Sequence, residues 1–162
     1  MKSEAKKQEV FIVLHNVRSV FNVGSVFRTA DCLGVPNIIL IGFTPTPIDR
    51  FGRSRKAFTK VSLGAEKTVS WKYFKTFQQA LDFLQPKGFK LVAVEQAIGA
   101  EDYKKIRTSY PVAFIFGNEV SGIPGIILKQ CDAVTEIPMR GKKESLNVSV
   151  AVGVSLSRIL NI

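Results

Sequence analysis

The residues whose types and spacing could do chemistry fall in three short polar clusters. The first, residues 16–30 (NVRSVFNVGSVFRTA), puts Asn22, Gly24 and Ser25 at the head of a helical pattern, with Arg28 one to two turns further along. Free N–H groups and the helix dipole favour an anion at such an end, and a fixed guanidinium grips a phosphate bidentately. The other reading of these residues is capping by Asn22 and a solvated Arg28. The second cluster, residues 117–125 (GNEVSGIPG), surrounds one carboxylate, Glu119, with turn residues. Glycine lets backbone come close to a ligand, and a simple loop with a solvated glutamate is the alternative. The third, residues 137–156 (IPMRGKKESLNVSVAVGVSL), makes a tight basic turn through Pro138, Gly141, Lys142 and Lys143. It then sets Ser145 and Asn147 at the start of an apolar helix, which either of them could cap.

The elements that must position these clusters follow from hydrophobic periodicity. Residues 10–14 (VFIVL), 37–41 (NIILI) and 112–116 (VAFIF) are continuous apolar runs, the pattern of strands buried on both faces of a parallel sheet. Further strands are expected over 69–71, 89–94 and 133–137. Residues 21–33 repeat apolar side chains at three- and four-residue spacing, with Gly34 and Pro36 ending the helix. Helices are also expected over 58–64, 76–84 and 124–129. The last helix, 145–160, is apolar almost all round and needs cover on most sides, which a second subunit could supply. Residues 44–56 (TPTPIDRFGRSRK) form a long basic loop. Strands alternating with helices predict an α/β fold, a mostly parallel sheet with helices on both faces. Ligands in such sheets bind beyond the carboxyl ends of the strands, where all three clusters lie.

Composition narrows the chemistry. The 162 residues suit one domain, residues 10–162, behind a polar, lysine-rich tail at 1–9. Lys and Arg number 23 against 13 Asp and Glu, a net charge of +10 that points to a polyanionic partner such as nucleic acid. One histidine, His15, and two distant cysteines, Cys32 and Cys131, build no metal site. The thiols are expected to be buried in a reducing cytoplasm. No run is apolar enough to span a membrane. No G-x-G-x-x-G fingerprint is present, which argues against a nucleotide-dependent oxidoreductase.

Taken together and in this order, the three clusters resemble the signature motifs of the SpoU (TrmH-type) family of the SPOUT superfamily of RNA methyltransferases. The first is similar to N-x-R-S-x-x-N-x-G-[SA]-x-x-R-T-A, the second to G-N-E-x-x-G-[IL], and the third to I-P-M-x-G-x-x-x-S-L-N-V-S. The likeness runs from Val10 to Ile162. It implies a SPOUT fold whose C-terminal segment forms a deep trefoil knot, an exception to the rule that chains do not knot. It also implies a homodimer paired through the final helix, with Arg28 of one subunit near the cofactor of the other. The cofactor implied is S-adenosylmethionine, held by Gly117, Asn118, Glu119, Ile137, Met139, Ser145, Leu146 and Asn147.

The activity implied is methylation of a ribose 2′-OH in tRNA or rRNA. Arg28 is the key catalytic residue, supported by Asn22, Glu119, Ser145 and Asn147, and no metal is needed. Arginine is not normally deprotonated, so Arg28 is expected to hold a phosphate and stabilise charge on the attacking oxygen. RNA phosphates are expected along Arg50, Arg53, Arg55, Lys56 and Lys60, with Arg18, Arg28, Lys142 and Lys143 nearer the site. The alternative is a non-catalytic RNA-binding or ribosome-assembly protein on the same fold.

Overall fold

The computed structural model describes residues 9–162. The tail expected at 1–9 therefore lies outside the described residues, except for Glu9, whose carbonyl accepts the Val112 N–H at 2.9 Å. The chain runs β1 (Val10–His15), α1 (Val20–Leu33), β2 (Asn37–Ile41), α2 (Lys56–Ser62), α3 (Ala65–Thr68), β3 (Ser70–Phe74), α4 (Phe77–Leu84), β4 (Lys90–Val94), β5 (Glu101–Asp102), β6 (Val112–Phe116), α5 (Gly125–Leu128), β7 (Ala133–Glu136) and α6 (Val148–Leu160). The strands form one sheet in the order β3-β2-β1-β6-β4-β7-β5, and every pairing is parallel.

Alternation along the strands divides the core into two layers. Ile12, Leu14, Ile38, Leu40, Phe114 and Phe116 meet α1, α2 and α6 through Val23, Phe27, Phe58, Val152 and Leu156. Val13, Ile39, Ala93 and Ile115 face the other way, onto Phe77, Leu81, Leu84 and Ile127 of α4 and α5. β1 and β6 are buried at every position. The expected doubly covered parallel sheet is thus what the chain builds.

Several boundaries differ from expectation for local reasons. α1 begins at Val20, one residue early, because the Ser19 hydroxyl accepts the Asn22 N–H and caps the helix. Asn22 is therefore not the cap, and its amide is free for other partners. α6 begins at Val148 and not at residue 145, because Asn147 caps it. Ser145 and Leu146 thus belong to the loop before the helix. β3 runs over Ser70–Phe74, further than the expected 69–71, by pairing along the whole of β2. The two-residue β5 has no apolar signal and exists through its pairing with β7.

The long basic loop is partly ordered, with a bridge between Ile48 and Ser54, and its last residue, Lys56, opens α2. The expectation of two buried thiols fails for Cys32, which is exposed on α1. It follows the helical pattern in sequence but lies off the buried face defined by Val23, Val26, Phe27 and Ala30. Cys131 is half-buried, and burial, aided by the neighbouring Asp132 charge, pushes its thiol up to about 11.

Candidate active site

Parallel β1, β4, β6 and β7 end at the same edge of the sheet, so the loops that follow them are brought together. Glu119, from the loop after β6, is the centre of the meeting. Its carboxylate accepts the backbone N–H of Arg18 at 3.1 Å and of Ser19 at 3.3 Å, and the Asn22 side-chain amide at 3.1 Å. The Asn22 carbonyl oxygen in turn accepts the Asn147 amide at 3.0 Å. One chain of hydrogen bonds thus joins the three clusters, across 97 positions between Asn22 and Glu119 and 125 between Asn22 and Asn147.

The loop carrying Glu119 is itself shaped by Asn118. Its Oδ1 accepts the N–H groups of Val120 at 2.8 Å and Ser121 at 3.0 Å, and its Nδ2 donates to the Asn16 carbonyl at 2.8 Å. Gly117 has to be glycine, since a Cβ there would sit 2.5 Å from the Gly122 carbonyl carbon and 2.6 Å from the Ile123 nitrogen.

Beside this network lies a cleft of about 330 Å³. Its walls come from Glu95 and Gln96 after β4, Gly117, Asn118 and Glu119 after β6, and Ile137, Met139, Ser145 and Leu146 after β7. The cofactor residues expected from sequence line it with one exception. Asn147 reaches the same assembly through Asn22 without lining the cleft. Ser145 makes no hydrogen bond to the described residues.

Arg28 stands apart. It is exposed on α1, its side chain has no hydrogen-bond or ion-pair partner among the described residues, and it does not line its own chain's cleft. The basic residues expected to meet RNA also lie on the surface. Arg18, Arg50, Arg53, Lys56, Lys60, Lys142 and Lys143 are exposed, and Arg55 is half-buried with its Nε donating to the Thr46 carbonyl at 3.0 Å. Arg53 is paired to Asp49 at 2.9 Å.

Two residues of the site have no role assigned from sequence, Glu95 and Asn16, the latter the opening residue of the first cluster. Glu95 accepts the Ile123 N–H at 2.9 Å and so braces the loop after β6 from beneath. Its signal was a carboxylate directly after a buried strand. Asn16, at φ 54°, ties the ends of β1, β2 and β6 together, accepting the Phe43 N–H on its side chain and the Asn118 amide on its backbone carbonyl.

Electrostatics follow from these bonds. Burial pushes the Glu119 carboxyl up, but the N–H groups of Arg18 and Glu119 itself, the Asn22 amide and the Ser19 N–H more than offset it. The carboxyl is held below the usual carboxylate range. A depressed folded-state value contributes stability that is fully present above the unfolded carboxylate range and is lost as pH falls through the folded value. Wild type should therefore be more stable than Glu119→Gln near neutrality, with the difference shrinking as pH falls below the ordinary carboxylate range. Urea unfolding across pH 3–7 measures this, and a constant difference would deny Glu119 its charged role.

Comparison with known proteins completes the picture. The tRNA (guanosine(18)-2′-O)-methyltransferase of Thermus thermophilus is 30% identical over 154 residues, 93% of this chain and 74% of that protein. The AdoMet-bound rRNA methyltransferase of Sinorhizobium meliloti superposes with a TM-score of 0.85 at 28% identity, over 94% of this chain and 56% of that one. A structure concerning 2-OH methylation of C/U34 on tRNA superposes at 0.78 with 28% identity, over 94% of this chain and 97% of that one. The chain spans about three-fifths of the length of other curated relatives it matches, 60%, 61% and 60% for three of them. The model of the SpoU rRNA Methylase family matches residues 9–157, and the chain belongs to that family.

Proposed function

We propose that this protein transfers a methyl group from S-adenosylmethionine to a ribose 2′-OH of RNA, and that it does so as a homodimer. The observation that carries the reading is the Glu119–Asn22–Asn147 network, which draws three distant segments to the rim of one cleft.

The cleft suits the cofactor. Its volume of about 330 Å³ falls within the range of about 300–1,000 Å³ of small-molecule sites. It offers apolar wall at Ile137 and Leu146 and backbone without side chain at Gly117. When bound there, S-adenosylmethionine supplies an electrophilic methyl group on a sulfonium. Gly117, Asn118, Glu119, Ile137, Met139, Ser145 and Leu146 bind it, and Asn147 fixes the wall they form. Glu119 locks the loop after β6 to the loop after β1. Asn22, clamped between Glu119 and Asn147, sets the orientation of α1, and Ser145 offers a free hydroxyl at the cleft.

Arg28 holds the phosphate beside the target ribose and stabilises negative charge developing on the attacking oxygen. The family resemblance puts Arg28 at the cleft of the partner subunit, and its exposure outside its own cleft is compatible with that placement. Support for the dimer is the apolar strip left uncovered on α6, where Val150 is 48% and Val154 38% exposed, continued by Leu146 and Ile162. The trefoil knot belongs to the same reading. It is what the family resemblance implies for a chain in which β7 lies beyond β4 and α6 packs back on α1.

The substrate is RNA, with tRNA favoured by the similarity to a C/U34 methylation structure over 97% of that chain's length. A cytoplasmic location fits the two free cysteines. Among the described residues no helix is long and apolar enough to cross a membrane, and no group of three acidic, histidine or cysteine residues is placed to hold a metal.

The test is to incubate the protein with tritiated S-adenosylmethionine and total RNA from a strain lacking the gene, then map the label. Tritium on a ribose 2′-oxygen is expected. Label on a base, or none, overturns the reading. Neutralising Arg53 and Arg55 together should weaken binding to all RNA sequences and lower the log–log salt slope by about one to two. The lower figure reflects the Asp49 charge already paired with Arg53. An unchanged slope would remove this loop from the RNA surface.

A further inference from the structure

The loop between β2 and α2 is built to present an aromatic ring. Phe51 sits at its tip, 67% exposed, and belongs to neither hydrophobic core cluster. The tip is held firmly. Asp49 Oδ1 accepts the Phe51 N–H at 2.8 Å and the Arg53 N–H at 3.0 Å, and the Asp49 N–H donates to the Arg53 carbonyl at 2.8 Å. Gly52, at φ +78°, lets the chain reverse. Two guanidiniums lie over the ring, Arg50 at 4.8 Å and Arg53 at 5.0 Å from its centroid. Arg53 is kept there by its ion pair to Asp49.

An ordered, exposed phenyl ring contributes nothing to the core. Its neighbours select what would cover it. Arg50 and Arg53 lie at the tip, Arg55 and Lys56 follow them in sequence, and Asp49, the one acidic side chain between residues 44 and 56, is already engaged by Arg53. A phenyl ring with two planar guanidiniums over it suits a partner with both a flat ring and a phosphate, and an unpaired nucleotide of an RNA strand has both.

The loop also starts beside the cleft. At its base the Thr44 hydroxyl donates to the Ile41 carbonyl at 2.7 Å, with the Leu14 carbonyl at 3.1 Å, and accepts the Val17 N–H at 3.1 Å. The next residue, Arg18, donates its N–H to Glu119.

We propose that Phe51 is a stacking platform for one unpaired base of the RNA substrate, with Arg50 and Arg53 gripping the phosphates that flank that base. The proposal rests on the RNA reading above and adds that the strand is read single-stranded at this point. Stacking on the exposed ring anchors the strand laterally, while the cleft receives the ribose that reacts.

The test measures anisotropy of a fluorescein-labelled oligouridylate of about a dozen nucleotides, a length within single-strand site sizes, and of a labelled RNA duplex. Phe51→Ala should weaken oligouridylate binding by about tenfold, Phe51→Leu should remain weak, and Phe51→Trp should restore it. The log–log salt slope should stay unchanged in all three, because no cation is removed. Duplex affinity should not move. Wild-type affinity in Phe51→Ala or Phe51→Leu would overturn the proposal. So would a shift of Phe51→Ala from dimer to monomer in sedimentation, which would make the ring a subunit contact. A wild-type protein that methylates RNA yet ignores the oligouridylate would overturn the stacking proposal alone. One that neither binds nor labels any RNA would overturn the RNA reading and this proposal with it.

Discussion

Arg28→Ala should lower methyl transfer by about a hundred- to a thousandfold in kcat, the cost of removing one preorganised charge-stabilising donor. Its thermal stability should be near wild type, because an exposed side chain without partners contributes within about 0.5 kcal/mol. Binding of S-adenosylmethionine should also persist, since the proposed role of Arg28 is toward the RNA phosphate and the attacking oxygen and not toward the cofactor. Arg28→Lys should recover little, as an ammonium cannot reproduce the planar fork.

The geometry allows a sharper result. If Arg28 serves the partner subunit, mixing inactive Arg28→Ala with an inactive cleft variant such as Gly117→Ala should restore activity. Random exchange between two-fold dimers leaves about one quarter of all sites intact, and that fraction of wild-type activity is expected. Recovery absent despite demonstrated subunit exchange would assign Arg28 to its own chain's cleft.

Gly117→Ala should cost both cofactor affinity and stability. The new methyl would press on the Gly122 carbonyl carbon at 2.5 Å, the Ile123 nitrogen at 2.6 Å and the Gly122 oxygen at 2.7 Å, all of them backbone. That backbone cannot step aside cheaply. The Gly122 N–H donates to the Asn118 carbonyl at 2.9 Å, and the Ile123 N–H to Glu95 at 2.9 Å. Overpacking of this kind costs about 1–3 kcal/mol.

The loop is also a wall of the cleft, so affinity for S-adenosylmethionine should fall by about a hundredfold, or about 2.7 kcal/mol. Calorimetry and thermal melting measure the two effects. Gly141→Ala is the control, because a Cβ there meets nothing within 4 Å, and it should change neither. Wild-type affinity in Gly117→Ala would mean that the loop after β6 does not shape the cofactor site.

The strands at the centre of the sheet and the polarity of their ends were written in local sequence. The runs VFIVL, NIILI and VAFIF leave no polar face, and only a sheet covered on both sides accommodates them. The resemblance of three motifs likewise named the cleft residues, because backbone geometry after a buried strand demands particular residue types such as Gly117. Hydrogen bonds between segments about a hundred residues apart were a different matter. That Ser19 caps α1 and releases Asn22 to bridge Glu119 and Asn147, and that Glu95 braces the loop from below, depends on which strand ends become neighbours. Strand order is decided by the packing of the whole sheet, and no local period records it. For the same reason β5 had no signal of its own, whereas the exposure of Cys32 agrees with the helical period, since it lies off the face of Val23, Val26, Phe27 and Ala30. The sequence by itself determined which residues are chemically capable. Tertiary packing decided which of them meet, because contact between distant segments is a property of the assembled sheet and not of any stretch within it.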